Sequence, residues 1–146
     1  MPNAQLFFSK QEKEAIKAAI LKAEFNTSGE IRVHIENSCK GDVLDRTAFL
    51  FSELGMIKTE LRNGVLFYLA VKDRKFAVIG DMGINALVEE NFWVEIKHTM
   101  AAHFKQSSFA DGLIAGIEMT GQKLKKHFPF QKDDLNELSD EISFSS

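Results

Sequence analysis

From Val65 to Val71 every position is apolar, Lys72, Asp73 and Arg74 then interrupt, and Phe76 to Ile79 resume the apolar run. An unbroken apolar run of this length predicts a strand covered on both faces, and the charged triplet predicts the turn of an antiparallel hairpin. Gly80-Asp81-Met82-Gly83 ends the second strand. Upstream, Glu30 to Glu36 alternates, with Ile31, Val33 and Ile35 on one side and Arg32, His34 and Glu36 on the other. That period of two predicts a half-buried strand. Between them, Val43 to Leu54 sets Leu44, Ala48 and Phe51 on one helical face, with Leu50 and Leu54 beside it and Gly55 as the stop. A right-handed crossover then makes the first strand parallel to the one beginning near Gly64.

Helical periods flank this centre. Ser9-Lys10-Gln11-Glu12 has the form of a reciprocal capping box and opens a helix whose stripe is Ile16, Ala19, Ile20 and Ala23. Asn26-Thr27-Ser28-Gly29 stops it. Phe92, Ile96, Met100 and Phe104, with Trp93 adjoining, predict a long helix from about Glu89 to Lys105. Ser107 and Ser108 can cap the next, whose stripe is Phe109, Leu113, Gly116, Ile117, Thr120 and Leu124, closing on Lys123, Lys125 and Lys126 before Pro129. The fold class is therefore α/β: a small mixed sheet of three to four strands sandwiched by helices, a β-α-β crossover followed by a hairpin and two C-terminal helices. Residues 1–128 are expected to form one domain. Residues 129–146, rich in Asp, Glu and Ser, are expected to be a mobile acidic tail, or alternatively a short partner-binding helix.

Composition narrows the class. With 146 residues, 45% of them hydrophobic, the chain can bury a sizeable core, and a net charge of -3 gives no basic field for nucleic acid. The single Cys39 excludes an internal disulfide. The N-terminal residues have no basic n-region and no stretch approaches a membrane span, which predicts a cytoplasmic protein.

The sequence contains no phosphate loop, no His-Glu-x-x-His and no Gly-x-Ser-x-Gly. His98 and His103 are five apart, about 140° around a helix, and cannot hold a metal from one face. Loops at strand ends are the better place for chemistry. The hairpin puts Asn63 with Asp81, joined by Glu60, at one edge, and Glu36, Asn37 and Asp73 at the other. Oxygen donors so grouped would suit calcium or magnesium. Gly80-Asp81-Met82-Gly83 reads first as a turn, its glycines supplying positive φ, and second as a ligand site. Gly112-x-x-x-Gly116 predicts a close helix–helix approach, and Trp93 a place in the core.

Taken together, Ser28-Gly29-Glu30-Ile31-Arg32-Val33, Asn63-Gly64-Val65-Leu66-Phe67-Tyr68, Asp73 to Ile84 and Phe109-Ala110-Asp111-Gly112-Leu113-Ile114-Ala115-Gly116 resemble a TPM domain, in that order and spacing. The resemblance implies an α/β/α sandwich and, for some relatives, acid phosphatase activity with divalent-metal or calcium binding. In those relatives an acidic residue commonly precedes Asn-Gly; here Arg62 stands there.

Two functions follow as expectations. One is a small binding or assembly module for a protein partner, using Arg62, Asn63, Asp73, Asp81 and Asp111 and with them the acidic tail. The other is a metal-assisted phosphatase, in which Asp81 and Asn63 hold calcium or magnesium and Arg62 takes the phosphate as a forked donor.

Overall fold

The structure is a computed structural model that describes residues 4–130 and 141–145. Its centre is a four-stranded sheet of β1 (Glu30–Glu36), β2 (Gly64–Ala70), β3 (Lys75–Gly80) and β4 (Ser143–Ser145), in the order β3-β2-β1-β4. β1 and β2 run parallel, with Glu30 beside Gly64 and Glu36 beside Ala70, so the crossover is as expected. β2 and β3 form the antiparallel hairpin, Val65 facing Gly80 and Ala70 facing Lys75. Every residue of β2 is buried, as its unbroken apolar run requires.

Among the described residues six α-helices flank the sheet: α1 (Ala4–Phe7), α2 (Lys10–Glu24), α3 (Val43–Glu53), α4 (Met82–Asn85), α5 (Phe92–Lys105) and α6 (Phe109–Leu124). On one side Ile16 and Ile20 of α2, Ile96 and Met100 of α5, and Leu113 and Ile117 of α6 pack on Ile31, Val33, Ile35, Val65, Phe67 and Leu69. On the other, Leu50 and Phe51 of α3 and Met56 cover Leu66, Tyr68 and Ala70. This is an α/β/α sandwich. The α2 start is the expected capping box: Ser9 Oγ accepts from the Glu12 amide at 3.1 Å, and Glu12 Oε1 from the Ser9 amide at 2.9 Å. Among the described residues no helix is long and apolar enough to cross a membrane.

Four expectations need correction. β1 is not half-buried: His34 and Glu36 are only 3% and 2% exposed, because α3, β2 and β4 close over its polar side. α3 buries Thr47, Leu50 and Phe51, while Leu44 faces water. The polar Thr47 can sit inside because its hydroxyl donates to the Val43 carbonyl at 2.7 Å. Ser108 stands at the α6 start but makes no side-chain cap. Of the expected tail, residues 131–140 lie outside the described residues, whereas Ser143–Ser145 belong to the sheet as β4, parallel to β1.

Candidate functional site

At the edge where β2 begins and β3 ends, Arg62 and Asp81 form a forked ion pair. Arg62 Nε donates to Asp81 Oδ2 at 2.7 Å and Nη2 donates to Oδ1 at 2.8 Å. The chain turns sharply here: Arg62 has φ of 51°, the left-handed region, and its carbonyl accepts from the Gly83 amide at 2.9 Å. That turn aims the side chain at Asp81, whose Oδ1 also accepts from the Met82 amide and so starts α4. The Asp81 side chain is 5% exposed and that of Arg62 35%. Arg62 is held charged, above its ordinary value, chiefly by the hydrogen bonds to Asp81.

Asn63 is buried next to this pair, but its amide donates to the Ser28 carbonyl at 3.2 Å and its backbone ties β1 to β2 through the Glu30 amide. Glu60, expected as a third member, is exposed. Glycine matters here for space rather than for positive φ, which among the described glycines only Gly41 and Gly55 adopt. A Cβ on Gly83 would lie 2.2 Å from the Leu61 carbonyl oxygen, and one on Gly80 would lie 2.5 Å from Trp93 Cζ2.

Asp73 lies at the opposite edge, as the hairpin requires, and accepts from the Cys39 amide at 2.6 Å. Lys75 reaches the Gly41 carbonyl at 3.2 Å, so the β1–α3 loop is pinned to the hairpin turn. Asp111 is in the first turn of α6, whose Phe109 lies beneath Arg74 at 5.7 Å. The five residues expected on one surface therefore divide: Arg62, Asn63 and Asp81 gather at one edge, while Asp73 and Asp111 stand toward the other.

Glu36, expected beside Asn37 and Asp73 as an oxygen donor, is instead the centre of a second polar cluster whose other members the sequence does not reveal. The Glu36 carboxylate accepts a fork from Arg46, with Nε at 3.0 Å, and further bonds from the Tyr68 hydroxyl and, at 2.8 Å, the Ser145 hydroxyl. His34 Nε2 is 2.8 Å from Ser145 Oγ, and Nδ1 is 2.7 Å from Ser143 Oγ. Since Ser145 gives its proton to Glu36, it accepts from Nε2–H. In the neutral ring Nδ1 is then the acceptor for the Ser143 hydroxyl at 2.7 Å, the Val33 carbonyl at 3.3 Å being the longer alternative for the same proton. Burial pushes the His34 value down to about 4, against the attraction of Glu36. For Glu36, burial pushes upward, but the bonds from Arg46, Tyr68 and Ser145 and the Arg46 charge hold it below the usual carboxylate range. Burial and the Glu36 bond push Tyr68 up. One clue was available: Tyr68, alone of its kind in a doubly covered strand, must find a partner for its hydroxyl.

Calcium or magnesium needs several open oxygen donors at one point. Both Asp81 oxygens already accept from Arg62, one also from Met82, and a guanidinium beside them repels a cation. Among the described residues no three His, Cys, Asp or Glu converge for a metal. The Arg62–Asp81 edge as arranged does not fit the ion.

The chain is similar to the NMR structure of the BA42 protein from the psychrophilic bacterium Bizionia argentinensis. The TM-score is 0.92 and the identity 46%, over 99% of this chain and 100% of that one. It is also similar to the N-terminal domain of a protein from P. gingivalis, with a TM-score of 0.68 and 22% identity over 83% of this chain and 78% of that one. The N-terminal domain of cg2496 from Corynebacterium glutamicum gives a TM-score of 0.64 and 16% identity over 92% and 79%. These last two likenesses concern the fold alone. No curated protein matches. Residues 3–123 match the TPM domain, and the chain belongs to the TPM domain family.

Proposed function

We propose that the domain is a binding or assembly module whose contact surface is the Arg62–Asp81 edge. The observation that carries this reading is the closed fork itself: Asp81 accepts two hydrogen bonds from Arg62 and one from its own helix start, and the guanidinium held against it opposes a cation. The loop before β2 and the start of α4 hold apolar side chains out to solvent, Leu61 at 54% exposure and Met82 at 62%. Apolar anchors around a partly exposed arginine are the composition of a protein contact rather than of a reaction centre.

Capture of a protein partner by the full chain, lost in Leu61→Asp and in Met82→Asp while both variants remain folded, is the expected result. The competing metal-assisted phosphatase would require Arg62 to release Asp81 to calcium or magnesium and turn to phosphate. Titration of the full chain with either ion is expected to leave the Asn63 and Asp81 amide signals in place. Saturable movement of those signals, with turnover of p-nitrophenyl phosphate that Asp81→Ala abolishes, would overturn the binding reading.

A further inference from the structure

The outer edge of β1 is seven residues long, yet β4 pairs only with its last three: Ser143 beside His34, Phe144 beside Ile35, and Ser145 beside Glu36. What holds this short strand is side-chain matching. On one face Ser143 and Ser145 bond the two ring nitrogens of His34, and Ser145 adds one hydrogen bond to Glu36, both of these β1 residues being almost fully buried. On the other, Ile142 and Phe144 pack at the margin of the main core and line a groove of about 270 Å³ with Lys10, Lys13, Glu14 and Lys17. Lys13 Nζ stands 5.1 Å over the Phe144 ring, and Lys17 pairs with Glu141. Lysines thus meet the acidic end of the segment, an aromatic seat takes Phe144, and a buried histidine–glutamate pair reads the two hydroxyls.

These contacts all lie within Glu141 to Ser145, and none of those residues is fully buried. A strand so shallowly held opens at low cost compared with the global unfolding of the sheet. Residues 131–140 separate it from Phe130, and that length of chain can extend about 30 Å. We infer that the β1 edge is a strand-addition site for the pattern Glu-Ile-Ser-Phe-Ser, filled in cis by residues 141–145 and open in trans to the same segment of a second copy. Each contact is local to five residues, so a neighbouring copy presents identical chemistry, and the exchange yields a swapped dimer. The serines set specificity. A strand without them would take from the buried His34 ring its two serine partners and from Glu36 one of its four hydrogen bonds, the other three coming from Arg46 and Tyr68.

The test uses the full chain carrying Phe144→Ala, which empties the aromatic seat and leaves β1 unchanged. Its isotope-labelled amides are followed during titration with the acetylated, amidated peptide Glu-Ile-Ser-Phe-Ser. Saturable shifts at Val33, Ile35 and Glu36 are expected, at least tenfold weaker for the peptide with alanine at both serines and at least tenfold weaker in the unsubstituted chain, whose own strand fills the edge. No shift at about 5 mM peptide, an affinity weaker than about -3 kcal/mol, would overturn the site. Should Phe144→Ala fail to fold, the double variant Ser143→Ala with Ser145→Ala serves the same titration. Sedimentation of the unsubstituted chain decides the occupant. A dimer that grows with concentration and is lost in the serine double variant supports the second copy; a monomer throughout, with peptide bound, overturns that occupant.

Discussion

Arg62 and Asp81, nineteen residues apart in sequence, hold each other through two parallel N–H···O bonds of 2.7 and 2.8 Å. The pair closes the loop before β2 onto the corner after β3, and the Asp81 amide, 2.9 Å from the Gly64 carbonyl, continues the hairpin ladder into that corner. Asp81 does two jobs at once, counter-ion and helix start. Its substitutions should separate them.

Asp81→Ala removes both jobs and is expected to cost about 1–2 kcal/mol, the usual worth of a lost N-cap with its hydrogen bonds. Asp81→Asn keeps an acceptor for the Met82 amide and should lose less. Urea midpoints at constant m-value measure both, and equal losses would show that the cap contributes nothing.

Gly83→Ala should destabilise by about 1–3 kcal/mol, as overpacking against rigid neighbours does. The added Cβ meets the Leu61 and Arg62 carbonyl oxygens at 2.2 and 2.5 Å, and backbone cannot step aside as a side chain can. The Arg62 Nε–H signal, slow to exchange while the fork is closed, is expected to broaden in this variant.

Acid should weaken the fold in two stages. In the unfolded chain His34 takes up a proton near pH 6.5, whereas in the folded protein it stays neutral down to about 4. Unfolding therefore gains a proton between those values, so the stability contributed by His34 is full above pH 6.5 and declines as pH falls toward 4, by about 1–3 kcal/mol. Glu36 extends the decline below the usual carboxylate range, because its folded value is depressed. The charges facing His34 are Glu36, Arg46 and Arg32, and its ring is stacked with Tyr68. His34→Gln is expected to flatten the stability curve between pH 6.5 and 4 and to leave the lower limb intact, as denaturant titrations at each pH would report.

Tyr68→Phe removes one donor from a buried carboxylate and should cost about 1–3 kcal/mol. The backbone of β2 has no reason to move, so the loss is expected in thermal midpoint without a change in the amide pattern away from Glu36. The Glu36 value should rise toward the ordinary carboxylate range, readable by carbon-13 titration of its side-chain carboxyl.

Chelation should be silent. With Asp81 engaged by Arg62, treatment with EDTA is expected to leave the thermal midpoint unchanged, and a fall of several degrees would reveal a bound divalent ion that stabilises the fold.

Much of this architecture is legible in local pattern. The Val65–Val71 run, the charged interruption and the Phe76–Ile79 run predict the hairpin, and its antiparallel sense alone places Asp81 with Asn63 and Asp73 away from both. The Phe109 to Leu124 stripe is buried at every expected position, and Gly112 and Gly116 let α6 approach Phe104 and Met100. The polar side of β1 is buried beyond what its period of two predicts, for a definite reason. Alternation tells which residues share a face, but not what lies over that face, and here Arg46, Tyr68 and the two serines of β4 do. β4 itself is too short, and too far along the chain from its partner, for periodicity to find it.

The sequence by itself determined the order of β1 to β3 and of α2, α3, α5 and α6, the parallel crossover, the hairpin and most of the apolar faces, because those follow from periods of 2 and 3.6 and from steric rules acting over a few residues. Only the tertiary structure decided that Arg62 would grip Asp81, that His34 and Glu36 would be sealed inside, and that Ser143–Ser145 would join the sheet. Those are pairings between distant residues, and they depend on how the layers settle against one another, which no local period encodes.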